Sequence, residues 1–401
     1  MRRVLGSCLL VILAAVPAAA AGSEVADAAM KQNREAVRAL LQRKANVNAP
    51  QVDGTTALHW AARSDDAEMA DLLIRAGANV RAANRQGVTS LQLAALNGSA
   101  VMLDKLLKAG ADPNAPLTQF KDTALMLAAR TGKTDALKVL IESRARVNEK
   151  ETWGGSTALL WAAAERHHEA VKLLVEQGAD VNARSNFVGP ANGRGFEGRT
   201  PMAPGDGQEV QEFASGWMTP LMMAAREGDL DSARILLGAG GEVDALAGDG
   251  KNALSLAIFN GNYHLASYLI DQKSAVNNTD TQRFTPLFWA VDRRNMETAP
   301  NFPWMVTEDP LPLIRKLLDA GANPNALVNN TPRARMRTGS PRIVFATPLM
   351  RAAFAGDLEL TKLLLSYGAD PKIISSDGET MLGGGTRLGF LHGYHRGNVG
   401  A

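Results

Sequence analysis

The sequence contains very little cysteine, few aromatic residues and no excess of either charge. Cys8 is the single cysteine among 401 residues, so the chain that follows it cannot form disulfides, thiol nucleophiles or cysteine-bound metal sites. Aromatic residues make up 5%, which argues against an aromatic-lined pocket and suits short, closely packed helices. With 43 Lys and Arg against 41 Asp and Glu, there is no bulk attraction to nucleic acid, and we predict no nucleic-acid partner.

Residues 1–21 have the pattern of a secretory signal peptide. Two arginines follow the initial methionine, residues 4–16 are apolar, and small residues lead to a cleavage site near Ala21. The apolar run is too short to span a bilayer comfortably. An uncleaved anchor and lipidation at Cys8 are the alternatives. We therefore expect a periplasmic or secreted protein that has no stable membrane insertion after signal cleavage.

The sequence shows no motif typical of catalysis, cofactor binding or metal binding. GRGFEG at 193–198 has the spacing of a dinucleotide-binding turn, but no strand precedes it and two prolines follow it. His167 and His168 are adjacent and would point about 100° apart on a helix, so they cannot chelate one metal. No group of carboxylates suits acid–base catalysis. We predict a protein that is not an enzyme and that has no cofactor and no metal.

A motif of about 33 residues recurs along most of the chain. It opens with Thr-x-Leu or a close variant, and successive openings lie 33 or 34 residues apart, except for two intervals of 62. The openings begin at Thr56, Thr89, Thr123, Thr157, Thr219, Asn252, Thr285, Thr347 and Thr380. Self-similarity at this period predicts a repeat array, and each long interval equals one repeat plus 29 extra residues.

The unit that opens at Thr123 shows why each repeat should form two helices. Thr123 is a good N-cap residue because its hydroxyl oxygen can accept a hydrogen bond from an unpaired backbone N–H. Leu125, Ala128 and Ala129 make one thin apolar face, and Gly132 ends the helix. A second helix with an apolar side follows. One such pair cannot bury its apolar face alone, whereas stacked pairs can, so the sequence predicts a solenoid.

The repeat resembles the ankyrin repeat, which consists of a turn and two antiparallel helices. TALHWAA at 56–62 and LLIRAGANV at 72–80 carry the resemblance, which extends from about Glu24 to Asp377. It implies an all-α fold: an ankyrin-repeat solenoid of about nine helix-turn-helix units with two long insertion regions, similar to exported bacterial-type ankyrin repeat proteins. The family's motif histidine is present only as His59, so most unit interfaces should depend more on packing.

The repeat openings also predict how the chain is divided. The predicted segments are the signal peptide 1–21, repeats 1–5 in 22–183, a Gly- and Pro-rich insertion in 184–216, repeats 6–9 in 217–377 with insertions at 296–310 and 327–345, and a degenerate or truncated repeat in 378–401. Insertions in repeat arrays map to loops and often reach the surface that binds a partner.

The resemblance implies recognition through the turn tips and through the concave surface lined by the first helices. We therefore predict a non-catalytic scaffold that binds a protein partner of unknown identity, with the insertions adding contacts. Candidate contacts are bulky or arginine side chains near the turns and in the insertions, because such residues commonly dominate interfaces. They are Arg85, Gln86, Phe120, Trp153, Arg194, Phe196, Trp217, Phe284, Trp304, Arg333, Arg335, Arg337 and Phe354.

Two questions stay open at this point. The chain could instead be an accessory subunit or a small enzyme whose site is formed by the insertions at 184–216 and 296–345. In addition, Trp60, Trp161 and Trp289 share one repeat position. They form either an aromatic ladder for a ligand or bulky filling between neighbouring units.

Overall fold

The computed structural model describes residues 23–117, 120–188, 215–295, 308–328 and 347–374. Within these ranges, eighteen helices form nine consecutive pairs, which confirms the predicted solenoid; we call each pair a unit and number the units 1–9. The first helices are Glu24–Met30 (α1), Ala57–Arg63 (α3), Ser90–Asn97 (α5), Ala124–Thr131 (α7), Ala158–Ala164 (α9), Pro220–Glu227 (α11), Ala253–Phe259 (α13), Pro286–Arg294 (α15) and Pro348–Phe354 (α17). The second helices are Arg34–Gln42 (α2), Ala67–Arg75 (α4), Ala100–Lys108 (α6), Thr134–Glu142 (α8), His168–Glu176 (α10), Leu230–Gly238 (α12), Tyr263–Asp271 (α14), Leu311–Asp319 (α16) and Leu358–Ser366 (α18).

The first helices begin and end where the sequence predicts. Thr123 caps α7, because its Oγ1 accepts a hydrogen bond from the Met126 N–H at 3.3 Å. Gly132 ends α7 with a left-handed φ of 66°. A Cβ at Gly132 would also lie 2.5 Å from Nδ1 of His167, so the close approach of unit 5 requires glycine here as well.

Small residues let the units stack closely. Ala128 and Ala129 of α7 are completely buried, and α7 packs against the first helices on both sides, α5 and α9. The second helices contribute larger side chains such as Leu106 and Leu140, which are also fully buried. Burying a leucine in this way stabilises the fold by about 1.5–3 kcal/mol. One continuous core extends from Val25 in the first unit to Ala369 after the last helix.

Asparagine side chains join consecutive units at the turns that follow the second helices. Asn48 Nδ2 donates to the Gly77 carbonyl at 3.0 Å, and the Asn79 N–H donates to Asn48 Oδ1 at 2.7 Å. Asn182 makes the same pair of bonds to Gly240 and Glu242, across the first insertion. The same pairs of bonds across the later insertions start from Asn277 and Asn325. The stacking geometry therefore continues through the interruptions.

The first insertion leaves and rejoins the array at one place. Phe187–Val188 (β1) and Ser215–Gly216 (β2) pair antiparallel, with Phe187 opposite Gly216 and Val188 opposite Ser215. This short strand pair is an addition to the predicted all-α architecture. The intervening residues 189–214 lie outside the described residues, as do the predicted signal peptide, the predicted segment 378–401 and most of the other two insertions.

Candidate binding surface

In units 2 and 3, a short turn precedes the first helix, and a side chain of the turn fixes its backbone. In unit 2, Asp53 Oδ1 accepts from the Thr55 N–H at 2.9 Å. Hydrogen bonds from the Thr55 backbone and hydroxyl lower the pKa of the Asp53 carboxyl. In unit 3, Asn84 Oδ1 accepts from the Gln86 and Val88 N–H groups at 3.0 and 2.9 Å. Asp and Asn favour such turns because their side chains bond their own backbone.

Backbone hydrogen bonds join the turns of neighbouring units. The Arg85 N–H donates to the Asp53 carbonyl at 2.9 Å, and the Thr152 N–H donates to the Phe120 carbonyl at 2.7 Å. Later units repeat this contact, and the Thr281 N–H donates to the Asp249 carbonyl at 2.9 Å. We call this chain of turns the tip row; it contains Asp53, Arg85, Phe120, Trp153, Trp217, Gly248 and Thr281.

Large side chains are exposed along the middle of the tip row. Phe120, Trp153 and Trp217 are 41%, 43% and 49% exposed, and the Phe120 and Trp153 ring centroids lie 6.3 Å apart. Arg85 and Gln86 are exposed on the neighbouring tip. Five of the residues predicted as contacts therefore lie on the tips of units 3 to 6.

An open depression of about 660 Å³ lies beside Trp217. Arg184, Glu242 and Leu246 help to line it, and Arg184 Nη1 donates to the Leu246 carbonyl at 3.0 Å. Trp217 itself has a φ of 52°, in the left-handed region that a bulky side chain rarely adopts. Backbone strain of this kind persists only where the surrounding structure maintains it, and strained residues cluster at functional sites.

The structure corrects the prediction for Phe284 and weakens the one for Phe354. Phe284 is completely buried, and its ring centroid lies 5.1 Å from that of Phe288 and 4.6 Å from that of Trp289. It belongs to the interior because its ring packs against the two aromatic side chains of α15. Phe354 is half-buried and packs against the core of unit 9. Phe284 offers no surface to a partner in this structure.

The remaining predicted contacts belong to the insertions. They lie outside the described residues and stay predictions: Arg194, Phe196, Trp304, Arg333, Arg335 and Arg337.

The first helices present a second surface that adjoins the tip row. We call it the first-helix surface and define it by the residues four and seven positions after each capping residue, for example Trp60 and Arg63 after Thr56. Trp60 Nε1 donates to Gln51 Oε1 in its own tip at 2.8 Å, which links the two surfaces. Trp289 is only 3% exposed and fills space between units 7 and 8, as one of the two interpretations of this position predicts.

Lys251 contacts two carboxylates and two aromatic rings, and the sequence alone did not predict these contacts. Its Nζ lies 2.6 Å from Asp249 Oδ2 and 3.6 Å from Asp280 Oδ2, and the tips of units 7 and 8 contribute these carboxylates. The ammonium also lies 5.7 Å and 5.6 Å from the ring centroids of Phe259 and Trp289. Burial raises the pKa of Asp280, and the charge of Lys251 opposes this change. The sequence feature that could have predicted these contacts is a lysine immediately before the capping residue of a first helix.

The histidines make structural contacts in the described part of the chain. His59 is buried, with Nδ1 2.8 Å from Thr56 Oγ1 and Nε2 2.9 Å from the Val88 carbonyl. Burial lowers the pKa of His59. His167 Nε2 lies 3.0 Å from the Arg130 carbonyl at the end of α7. The described residues contain no group of three or more side chains that could hold a metal ion.

Among the helices of the described ranges, none combines the length and the apolar character that a membrane span requires.

Comparisons with known proteins identify the repeats. A search of curated proteins gave no match. Among solved structures, the chain is similar to the crystal structure of the human ASB11 ankyrin repeat domain, at 24% identity and a TM-score of 0.47, over 59% of this chain and 91% of that one. Models of ankyrin repeats match residues 25–117, 91–185, 221–300 and 346–376, which together cover more than half of the sequence. The chain belongs to the ankyrin repeat family.

Proposed function

We propose that this protein is an exported, non-catalytic scaffold that binds a protein partner through its tip row and first-helix surface. Ankyrin repeats are generally interaction scaffolds and typically carry no catalytic site. The observation that supports the proposal best is the exposure of Phe120, Trp153 and Trp217 on tips that backbone hydrogen bonds hold together. Large exposed apolar side chains mark interaction sites, and a preorganised surface loses little entropy on binding.

Export rests on residues 1–21, whose positive start, apolar run and small-residue end are typical of a cleaved signal. We propose that the mature chain acts in the periplasm or outside the cell, as an exported bacterial-type ankyrin repeat protein. Cell fractionation followed by N-terminal sequencing tests this step. The expected result is a non-cytoplasmic chain that begins near residue 22, and a full-length cytoplasmic chain would refute it.

Binding is tested by capturing partners with the immobilised chain from the envelope fraction of the cells that produce it. A triple variant, Phe120→Ser, Trp153→Ser and Trp217→Ser, removes the aromatic side chains of the tip row. Because buried aromatic anchors carry about 2 kcal/mol or more each, the variant should recover the partner at least thirtyfold less efficiently.

The matched control is the double variant Val101→Ser and Leu358→Ser. These side chains are 59% and 65% exposed, but they lie on the second helices α6 and α18, away from the tips. The control should capture the partner as well as the unchanged chain. Equal losses in both variants, or no loss in the triple variant, would contradict a partner site on the tip row.

A further inference from the structure

Three exposed residues form a row on the first-helix surface of units 2, 3 and 4. Arg63, Leu96 and Arg130 each lie seven positions after the capping residue of their unit. The helices that carry them, α3, α5 and α7, pack side by side, so the apolar side chain lies between the two arginines. Leu96 is 48% exposed, and both arginines are exposed as well.

Tryptophan rings position the two guanidinium groups. The Arg63 Cζ lies 5.5 Å from the ring centroid of Trp60, and the Arg130 Cζ lies 4.8 Å from that of Trp161. The bond from Trp60 Nε1 to Gln51 fixes the first ring in turn. A guanidinium on an aromatic face keeps its N–H edges free for a bidentate contact with a carboxylate. Among the described residues, no carboxylate lies within ion-pair distance of Arg63 or Arg130.

In units 2–7 the charge of the first-helix surface has one sign. At the two positions that define the first-helix surface, units 2–7 contain three arginines and no acidic residue. The third, Arg226, is paired with Glu227 at 2.7 Å. Arg63 and Arg130 are in no ion pair with a described residue, so their charges are available for an external partner. The remaining residues at these positions are apolar. Electrostatic complementarity therefore favours an acidic partner that also carries apolar side chains.

We propose that the row of Arg63, Leu96 and Arg130 binds an acidic, apolar-centred protein segment, with one carboxylate at each arginine and apolar contact at Leu96. This inference rests on the proposed scaffold function and names the chemistry of the partner. Packed helices lie about 8–10 Å apart, so the two arginines are separated by roughly 20 Å. An extended strand covers this span in about six residues and points alternate side chains to one face. A nucleic acid would leave Leu96 without an apolar contact.

The probe is a fluorescein-labelled peptide, Glu-Ser-Leu-Ser-Leu-Ser-Glu, titrated with the purified full chain at low salt by fluorescence anisotropy. We expect saturable binding that weakens as salt is added, because charge pairs are screened. A peptide with lysine at both ends should bind at least thirtyfold more weakly. Arg63→Gln and Arg130→Gln should each weaken the binding of the acidic peptide about tenfold.

The matched control is Arg75→Gln, which makes the same change at an exposed arginine on the second helix α4. It should change the affinity less than twofold. Trp60→Leu keeps the charge of Arg63 but removes its support, and should weaken binding about threefold; Arg63→Lys should do the same, since lysine lacks the planar fork. Far-UV circular dichroism and thermal melting of each variant exclude loss of the fold as the cause.

Equal binding of the lysine-ended peptide, or an equal loss in Arg75→Gln, would overturn the proposal. A ten-residue oligothymidine that displaces the peptide from the unchanged chain, and does not bind the Arg63→Gln variant, would assign the surface to nucleic acid. This result would overturn the proposal too. Absence of peptide binding while the tip variants still abolish partner capture would refute this inference alone. Absence of any tip-dependent partner would instead refute the scaffold function.

Discussion

An arginine–aspartate ion pair joins units 1 and 2 at the start of the array and units 8 and 9 at its end, and the two pairs differ in burial. Arg34 Nε lies 2.7 Å from Asp66 Oδ2 between units 1 and 2, and Arg294 Nε lies 2.7 Å from Asp357 Oδ2 between units 8 and 9. In both cases the aspartate caps the second helix of the following unit. The Arg34 side chain is 42% exposed, whereas that of Arg294 is 15% exposed. Equal distances thus conceal different environments.

The last interface also contains a buried pair that the first one lacks. Arg351 Nε lies 2.8 Å from Asp292 Oδ1, and Arg351 Nη2 donates to the Asn295 carbonyl at 2.8 Å. Arg351 takes the repeat position that Trp60 and Leu127 occupy in earlier units. Packing in the uninterrupted half is therefore mostly apolar, while charge pairs join the last unit, which follows the last insertion. Burial, more than distance, decides how much such a pair contributes.

The largest effect is expected from Arg351→Met. The substitution leaves the carboxylate of Asp292 buried without its partner, which costs about 3–5 kcal/mol. Hydrogen exchange should show loss of protection in α17 and α18, while α3 to α10 keep theirs. The double variant Arg351→Met with Asp292→Leu removes both charges and should recover most of the lost stability. Failure of the double variant to recover would mean that packing, and not the unpaired charge, is responsible.

A smaller effect is expected from acid at the interface of units 2 and 3. The Thr56 N–H donates to His59 Nδ1, which leaves the ring proton on Nε2 facing the Val88 carbonyl. Because burial lowers the pKa of His59 below the ordinary 6.5, the unfolded chain binds the proton more readily. The contribution of the neutral His59 to the free energy of unfolding is therefore fully present above pH 6.5. It is lost as the pH falls from 6.5 through the lowered pKa of the folded state.

The measurement is the free energy of unfolding of the unchanged chain and of His59→Gln between pH 8 and pH 5. The loss of stability below pH 6.5 should be absent from the variant, because glutamine does not titrate. Parallel curves for the two proteins would show that other titrating groups cause the loss.

The smallest effect is expected from Arg34→Met at the first interface. Solvent screens this exposed pair, and holding two long side chains costs entropy, so no measurable change in stability is expected. Thermal melting of Arg34→Met beside Arg294→Met provides the comparison. A loss in Arg34→Met as large as that in Arg294→Met would contradict the dependence on burial.

Much of the fold followed from local sequence. Thr123 and Gly132 mark the ends of a helix because a hydroxyl cap and a left-handed residue act within a few positions. Trp153 and Trp217 are exposed on the tips, as their choice as candidate contacts requires, and their contact with a partner stays a prediction. Phe284 was predicted wrongly as a contact, since turn residues usually face solvent and the sequence of the turn does not show that this side chain is completely buried.

The sequence by itself determined the number of units, their order and the ends of their helices, because the 33-residue period encodes interactions between near neighbours in the chain. Only the tertiary structure decided which groups meet across units. The stacking of the units brings together the ion pairs Arg351–Asp292 and Lys251–Asp280. It also places Arg130 on the ring of Trp161. Contacts between separate repeats leave no periodic signal, since each one involves a different combination of side chains.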